Sequence, residues 1–447
     1  MAGFVPHTDA EIEQMLATMG LSTLEELFDV VPAALRLTAR SPGSGDGYLG
    51  LPDGLGEFDV MVEMERLAAR NRAELVCFAG GGAYEHDVPA VVRSLAFRSE
   101  FVTAYTPYQP EVAQGVLQLL FEYQTLLTRI TGMEVANASL YDGATACVEA
   151  LNLATTATGR DEVWVSSGVN PRWRAVIDTF AAGTGHRVVE IPLDGGRTRW
   201  PEEGAPAALL LQHPNYLGCL EAVDDAGDRA RRSGALSLVA FDPVAAGLLH
   251  GPGQQGADVV VGEGQPFGTP LSFGGPYLGL FACRLDHVRR LPGRLVGETV
   301  DTSGRRAYVT TLRTREQDIR REKASSNVCT NQTLIAVAFA IHLSWLGTDG
   351  LRELALRCAR GTRYTRESLC AIDGVEPLVD APVLREFAVR TPVPAAVVVD
   401  RLAEEGFLAG IPLEPEYGES GLLIAVTERR TREEIDAFAA AFEKAIR

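Results

Sequence analysis

Lysine is almost absent from this chain of 447 residues. Of its 41 basic residues, 39 are arginines, and the lysines are Lys323 and Lys444. An enzyme that holds a cofactor or substrate as a Schiff base needs a lysine amine for that bond, so the sequence offers two positions at most. Drift of the composition toward arginine would explain the scarcity, but the chemical consequence is the same whatever its cause.

Other features are also missing. The net charge is −18, which argues against nucleic acid or an anionic membrane as the main partner. The seven cysteines are scattered without a CxxC pair, so we expect reduced thiols and neither a disulfide framework nor a metal site. No signal peptide and no apolar run of about 18 residues is visible. We therefore expect a cytoplasmic protein.

The chain is long enough for two or three domains. We predict an N-terminal helical segment and linker over residues 1–60, a large domain over 61–346 and a small α+β domain over 347–447. In the first segment, Thr8 with Glu11 and Ser22 with Glu25 each predict a capping box at the start of a short helix. Residues 41–57 are rich in glycine, proline and serine and predict a loop.

Strand and helix patterns alternate between about residues 135 and 285. The predicted strands are short apolar runs: Glu162–Ser166, Arg187–Ile191, Ala207–Gln212, Leu236–Asp242 and Asp258–Val261. Such runs, separated by helices, indicate an α/β domain with a mostly parallel sheet buried on both faces. Its ligands should lie at the carboxyl ends of the strands. In the last hundred residues, strands near Val383–Val389 and Leu422–Val426 and a final helix over Arg432–Ile446 predict the smaller domain.

Two features of the predicted sheet are typical of a pyridoxal-phosphate site. Asp242 ends a buried strand, where an aspartate can pair with the protonated ring nitrogen of the cofactor. The segment from Ser139 to Thr145 precedes a helix predicted to start near Ala146, and its backbone N–H groups suit a phosphate. The candidate cofactor-binding residues are Ser139, Gly143, Ala144, Thr145 and Asp242. Taken alone, Asp242 could equally cap the next loop, and Ser139–Thr145 could be an ordinary N-cap.

The lysine expected in such a site is missing. It should follow Asp242 by roughly 20 to 30 residues, yet Glu263 and Gln265 occupy that region. Lys323 lies much farther along, in the charged run RREK, and Lys444 lies on the final helix.

Two further segments stand out. Ala104–Glu111 (AYTPYQPE) is stiffened by two prolines and offers aromatic rings, hydroxyls and a carboxylate. Arg320–Gln332 (RREKASSNVCTNQ) places basic and amide groups ahead of a helix, which suits an anion or a loop of a neighbouring chain. Each segment could alternatively be a plain surface loop. His86 is a lone histidine, for which a packing role is the simpler interpretation.

Together these blocks resemble the glycine cleavage system P-protein family, in particular its separate subunit 1 or N-terminal half. The resemblance spans nearly the whole chain. The blocks that carry it are long: AYTPYQPEVAQG (104–115), FEYQTLLTRITGMEVANASLYDGATA (121–146), HPNYLGCLE (213–221), GADVVVGEGQPFGTPLSFGGPYLGLFACR (256–284), LPGRLVGETVD (291–301) and RREKASSNVCTNQ (320–332).

The resemblance implies a large domain of the PLP-dependent transferase type (fold type I) and a role in glycine decarboxylation. It also implies that pyridoxal phosphate is carried by a lysine of a partner, subunit 2, in an α2β2 assembly. The aminomethyl group left after decarboxylation would pass to the lipoyl H-protein. Asp242 and Ser139–Thr145 would then be a relic of a cofactor site. Candidates for side chains acting across the subunit interface are Tyr105, Tyr108, Gln109 and Glu111, with Arg320, Asn327 and Thr330 as weaker ones.

The segment FAGGGAYEHDVP (78–89) departs from the usual family pattern at Ala79, Gly81 and Asp87, and the segment 170–180 also looks divergent. An alternative is therefore a paralogous subunit whose partner acts on another amino acid or carrier. A non-catalytic regulatory pseudoenzyme is a further alternative.

Overall fold

The structure is a computed structural model that describes residues 6–36, 54–104, 106–324, 326–413 and 417–447. It divides into two compact units, Met1–Ala73 and Glu74–Arg447. Its α-helices are α1 (Asp9–Met19), α2 (Glu57–Ala68), α3 (Ala90–Ala96), α4 (Ser99–Val102), α5 (Gln114–Thr131), α6 (Gly143–Thr158), α7 (Pro171–Thr184), α8 (Val223–Ser233), α9 (Gln317–Arg320), α10 (Thr333–Cys370), α11 (Ala395–Glu404) and α12 (Arg432–Ala445).

The β-strands alternate with these helices along most of the chain. They are β1 (Val76–Cys77), β2 (Val135–Ala136), β3 (Glu162–Ser166), β4 (Arg187–Ile191), β5 (Leu193–Asp194), β6 (Arg197–Thr198), β7 (Ala208–His213), β8 (Leu236–Phe241), β9 (Val259–Glu263), β10 (Gly279–Cys283), β11 (Val296–Val300), β12 (Arg306–Thr310), β13 (Glu376–Pro377), β14 (Glu386–Arg390), β15 (Phe407–Leu408), β16 (Ile411–Pro412) and β17 (Gly421–Ala425).

The first unit confirms one predicted capping box and corrects the other. The Thr8 side chain caps α1 and Glu11 reciprocates, while Gly20 ends the helix in the left-handed conformation. The predicted box of Ser22 with Glu25 is wrong. Glu26, and not Glu25, accepts the bond from the Ser22 N–H, and only a 3-10 turn, Glu25–Phe28, forms there. Leu24, and not Ser22, is the residue that precedes this turn as its N-cap, so Ser22 lies two residues too early to form the box. The predicted loop 41–57 lies mostly outside the described residues.

A seven-stranded sheet forms the centre of the second unit, in the order β2-β10-β9-β8-β7-β3-β4. The pairs among β4, β3, β7, β8 and β9 are parallel, and β10 is antiparallel to both its neighbours. Every residue of β8 and β9 is buried, as expected for apolar strands covered on both faces. The prediction of a mostly parallel α/β sheet is confirmed.

A second, antiparallel sheet has the order β13-β14-β17-β16. Its core includes Phe387 and Ile424 together with Phe438 and Phe442 of α12. The short strand β1 pairs in parallel with β15, so the chain entering this unit first joins the C-terminal region. Both sheets belong to the same compact unit, Glu74–Arg447. The division of that unit at residues 346 and 347 stays a prediction.

Helix α10 runs past both sheets and is interrupted by Gly347, which has φ 60° and ψ −170°. Among the described residues, α10 is the one helix whose length and apolar composition would suffice to cross a membrane. Its residues Ala336, Phe339 and Leu343 instead pack in the hydrophobic core with strands β8 and β9. The helix therefore has the character of a core helix of a globular domain.

Candidate functional site

The predicted cofactor site lies where strands β8 and β9 end. Asp242 follows β8 directly, and Glu263 is the last residue of β9. The loop 213–221, which follows β7, lies at the same edge of the sheet. In this loop the Leu220 N–H donates to the carbonyl of Pro382, which precedes strand β14 of the four-stranded sheet, at 2.9 Å. Asp242, Glu263 and Arg385 line a common cavity there, which we call the crevice.

Asp242 forms an ion pair inside this crevice. Its Oδ2 lies 2.6 Å from Nη2 of Arg385, and both side chains are largely buried. Arg385 stands directly before strand β14 of the four-stranded sheet. Its guanidinium carbon lies 3.5 Å from the centre of the Tyr84 ring, a distance typical of a cation–π contact. The Asp242 carboxylate therefore already holds a cation that belongs to the other sheet.

The ion pair continues into a buried hydrogen-bonded chain. Arg385 Nη1 lies 2.6 Å from Nε2 of His86, and His86 Nδ1 lies 2.6 Å from Oε2 of Glu428. A guanidinium can only donate, so Nε2 accepts and Nδ1 carries the proton donated to Glu428. Burial opposes ionisation of Glu428, but the bond from His86 and the backbone N–H of Asp87 outweigh it and lower its pKa to about 2.

His86, Glu428 and Cys358 together have the residue types of a metal site, with ligand atoms within 4.8 Å of one another. Both ring nitrogens of His86 already hold hydrogen bonds, and the Arg385 cation adjoins one of them. The geometry is therefore that of a hydrogen-bonded network that links the loop 84–87 to the small sheet.

Glu263 occupies the start of α6, where the sequence predicts phosphate-binding N–H groups. Its carboxylate accepts from the backbone N–H of Gly143 at 3.0 Å, Gln265 at 3.0 Å and Leu278 at 2.9 Å. Burial raises the pKa of Glu263 to about 8, against the opposing effect of these three donors. The side chain of Gln265 bonds the Tyr84 backbone on both its N–H and its carbonyl, at 2.9 Å each. Glu263 and Gln265, which stand in the segment where the lysine was expected, thus connect the end of β9 to the start of α6 and to the Tyr84 backbone.

Glu386, next to Arg385, forms a further buried connection. It accepts from the Tyr84 hydroxyl at 2.5 Å and from the Gly81 N–H at 2.6 Å. Burial raises the pKa of Glu386 to about 7, and these two hydrogen bonds oppose that rise. At Gly218 the loop 213–221 comes so close that a Cβ would lie 1.9 Å from the Glu386 carbonyl oxygen. Only glycine permits this approach.

The space left in the crevice is small. Its cavity volume is about 50 Å³, whereas clefts that hold drug-sized ligands and cofactors measure about 300–1,000 Å³. The Trp173 ring also lines this cavity. It packs so closely on Gly143 that a Cβ there would lie 2.4 Å from the ring. Pyridoxal phosphate therefore does not fit among these residues as they stand. Lys323, exposed in a 3-10 turn, and Lys444, paired with Glu405, do not line the cavity.

The other predicted cofactor residues lie around the start of α6. The helix begins at Gly143, earlier than predicted, with Asp142 as N-cap bonded to Thr145, and Ala144 is buried in the first turn. Ser139 is fully buried with φ 96°, and its Oγ accepts from the Gln332 N–H at 3.2 Å. A cofactor role for this set stays a prediction.

Two of the predicted catalytic residues lie at one surface cluster, which we define by Tyr108, Tyr141, Thr330 and Asn331. The Tyr108 hydroxyl donates to Asn331 Oδ1 at 2.5 Å, and the Asn331 amide donates to the Ala138 carbonyl. The Tyr141 hydroxyl lies 3.3 Å from Thr330 Oγ1. Burial raises the pKa of Tyr108. The cluster therefore joins segments 106–109, 138–141 and 330–332.

Among the described residues, the other predicted catalytic residues make no hydrogen bond to this cluster. Glu111 lines a groove beside the hairpin of β11 and β12, and Gln109 lines a different one. Arg320 ends α9, and Asn327 is exposed. Tyr105 lies outside the described residues. Catalytic roles for all seven stay predictions.

Sequence reasoning missed Tyr84, Arg385 and Glu386, which line the crevice, and the His86–Glu428 pair bonded to Arg385. The signals available were weak. Arg385 and Glu386 are charged residues at the start of an otherwise apolar strand, which suggests buried partners. Their partners in segment 81–86 lie about three hundred residues away in the chain, and Asp242 also lies far from Arg385 in sequence. A single sequence does not reveal such pairs.

Comparisons with known proteins agree over the whole chain. The family model of the glycine cleavage system P-protein matches residues 2–442. A probable glycine dehydrogenase (decarboxylating) subunit 1 of Moorella thermoacetica is 49% identical over 445 residues, which cover 98% of each chain. A crystal structure of glycine decarboxylase (P-protein) of the glycine cleavage system, in inhibitor-bound form, matches with a TM-score of 0.91 and 44% identity, covering 99% of this chain and 100% of that one.

A more distant structural match supports the fold alone. A sphingosine-1-phosphate lyase of Burkholderia pseudomallei has a TM-score of 0.59 at 14% identity, over 89% of this chain and 92% of its own. The predicted fold class, a PLP-dependent transferase-like α/β domain of fold type I, is confirmed. With a family model that spans almost every residue and relatives of equal length, this chain belongs to the glycine cleavage system P-protein family.

Proposed function

We propose that this chain is subunit 1 of a glycine decarboxylase, a glycine dehydrogenase (aminomethyl-transferring) whose pyridoxal phosphate is anchored by a lysine of subunit 2. The complex removes CO2 from glycine and passes the aminomethyl group to the lipoyl H-protein. Relatives of equal length named subunit 1 support the pairing with a second subunit. We further propose an α2β2 assembly, soluble in the cytoplasm.

One observation supports the proposal that subunit 2 holds the cofactor. Neither lysine of this chain lines the crevice, and the chain's own side chains fill it. Asp242 pairs with Arg385, Glu263 caps α6, and the remaining cavity is about 50 Å³. A chain built this way needs a partner to hold the cofactor. For this reason we derive no chemical step from the crevice of subunit 1.

The contribution of subunit 1 to catalysis would then come from its surface. Tyr108 and Thr330 belong to the surface cluster, and Thr330, Asn327, Gln109 and Glu111 are exposed. Exposed hydroxyl, amide and carboxylate groups on a stiff, proline-containing segment can be presented to an active site in another chain. We propose that Tyr108 and Thr330 of this cluster, with Gln109, Glu111, Arg320 and Asn327, act across the interface with subunit 2, where they position substrate or the carrier arm. Tyr105 is a further candidate from the sequence alone.

The test is reconstitution. The chain, a lysine-bearing subunit 2 homologue and a lipoylated H-protein are purified separately and assayed for glycine–bicarbonate exchange. We expect exchange when both subunits are mixed and none from this chain alone. Exchange by subunit 2 and H-protein at the full rate without this chain would contradict a catalytic contribution. Full exchange with another amino acid in place of glycine would indicate a different substrate.

A further inference from the structure

Pyridoxal phosphate carries two charged groups that proteins of this fold can hold: an anionic phosphate and a protonated ring nitrogen. The elements suited to them are a helix N-terminus for the phosphate and an aspartate for the ring nitrogen. In this chain both elements are present, at Gly143 and at Asp242. Each already has a partner from the chain itself: a guanidinium pairs with Asp242, and a carboxyl oxygen accepts the Gly143 N–H.

Arg385 takes the position of the cationic partner of Asp242. Its Nη2 lies 2.6 Å from the carboxylate oxygen, and its planar group lies 3.5 Å from the centre of the Tyr84 ring. His86 holds the other terminal nitrogen at 2.6 Å. A flat cation that stacks on an aromatic ring and binds an aspartate reproduces the contacts that a pyridinium ring would make.

Glu263 takes the position of the phosphate oxygens at the start of α6, as a hydrogen-bond acceptor. Its Oε2 accepts the Gly143 N–H at 3.0 Å, and its Oε1 accepts two further backbone N–H groups. Several backbone donors converging on one acidic group at a helix N-terminus form the usual environment of a bound phosphate. Glu263 lies in the segment where a lysine was expected, so this segment supplies a hydrogen-bond acceptor for the start of α6 in place of an amine.

The Arg385 pairing also connects the two sheets. Asp242 ends a strand of the seven-stranded sheet, whereas Arg385 precedes a strand of the four-stranded one. Glu386 adds bonds to Tyr84 and Gly81 next to it. A cofactor entering the crevice would have to displace Arg385 and so separate groups that hold the sheets together.

We propose that Arg385 and Glu263 are built-in substitutes for the ring nitrogen and the phosphate of pyridoxal phosphate. They close the crevice of this subunit to the cofactor, and Arg385 also links the four-stranded sheet to the seven-stranded one through Asp242. This deepens the proposed function, because it explains how subunit 1 excludes the cofactor, but it concerns this chain alone.

The test measures binding of pyridoxamine 5′-phosphate to the full chain by equilibrium dialysis. This probe has an amine in place of the aldehyde, so it cannot attach to Lys323 or Lys444. The wild type is compared with E263A/R385A and with E298A/R305A, a control that removes the same residue types from the exposed hairpin of β11 and β12.

We expect no saturable binding by the wild type or the control. E263A/R385A should bind at least about tenfold more tightly, and inorganic phosphate should compete, because the N–H groups of α6 and the Asp242 carboxylate become free. Wild-type binding equal to that of E263A/R385A would overturn the proposal. So would a folded E263A/R385A, checked by circular dichroism, that binds no probe.

If E263A/R385A does not fold, a crystal structure of the wild type grown with saturating pyridoxamine 5′-phosphate decides. A structure in which Arg385 still pairs with Asp242 and Glu263 still accepts the Gly143 N–H would support the proposal. Electron density for the probe in the crevice would overturn it. Failure of the proposed function and failure of this inference give different results. A wild type that excludes the probe but gives no exchange with subunit 2 contradicts the proposed function alone. A wild type that binds the probe but is active on mixing contradicts this inference alone.

Discussion

The crevice and the surface cluster offer polar groups of similar kinds, but they use them in opposite ways. In the crevice, Asp242, Glu263 and Arg385 are buried and bonded within the chain. In the surface cluster, Thr330 is exposed and Tyr108 is half-buried. The comparison separates polar groups that hold the fold together from polar groups that another chain can reach. The groups still available for function are those on the outside.

The largest effect should follow from breaking the ion pair of the crevice. R385M leaves the Asp242 carboxylate buried without its cation, which typically costs about 3–5 kcal/mol in the free energy of unfolding. The matched control, D242N/R385M, removes both charges and should recover a substantial part of that loss. Urea unfolding followed by circular dichroism measures both. If R385M and D242N/R385M are equally unstable, the pairing is not what stabilises the crevice.

A second change tests how closely the two sheets must approach. G218A places a Cβ against the Glu386 carbonyl, 1.9 Å away before relaxation, at a residue with φ +83°. We expect a loss of about 1–3 kcal/mol from overpacking. G304A is the control, since Gly304 also has a positive φ, +78°, but nothing lies within 4 Å of a Cβ there. Equal losses in the two variants would mean that backbone strain, and not the close approach, is responsible.

The pH dependence of stability should distinguish the buried carboxyls of the crevice from the exposed carboxyl of Glu111. The pKa of Glu263 is raised from 4.5 to about 8 and that of Glu386 to about 7. Between the unfolded and folded pKa values the folded chain holds an extra proton. The contribution of these two carboxyls to the free energy of unfolding therefore falls as the pH rises from about 5 to 8, by at most about 1.4 kcal/mol per pH unit for each. Buried His213 and His342, whose pKa values are lowered to about 4, contribute the opposite slope below about pH 6.5.

E263Q and E386Q should flatten this dependence, whereas E111Q, an exposed residue, should leave it unchanged. Urea midpoints at several pH values measure the slope. A wild-type stability that rises between about pH 6.5 and 8, or a slope unaffected by both variants, would contradict the assignment.

The smallest effect on stability is expected at the surface. E111Q should change the free energy of unfolding of the isolated chain by less than about 0.5 kcal/mol, as is usual at exposed positions. In the reconstituted complex we expect the exchange rate to fall at least about tenfold, equivalent to about 1.4 kcal/mol. E298Q, on the exposed hairpin, serves as the control. Unchanged exchange by E111Q would remove Glu111 from the proposed interface residues.

The sequence was sufficient where local patterns determine structure. Apolar runs such as Leu236–Asp242 predicted the buried parallel strands, and the Thr8–Glu11 spacing predicted a real capping box. Prediction failed at the Ser22–Glu25 box because the turn begins at Glu25, with Leu24 and not Ser22 at its N-cap. The crevice was predicted only in outline. Asp242 and Glu263 could be placed at strand ends, but Arg385 comes from a different sheet, and such a long-range ion pair leaves no local pattern.

Locating the cofactor in the active complex tests the central claim most directly. The mixture of this chain, subunit 2 and pyridoxal phosphate is first shown to exchange glycine with bicarbonate. It is then reduced with borohydride, and each chain is mapped by mass spectrometry for a phosphopyridoxyl lysine. The account predicts the label on a lysine of subunit 2 and none on Lys323 or Lys444. A stoichiometric label on either lysine of this chain, with exchange by this chain alone, would contradict it.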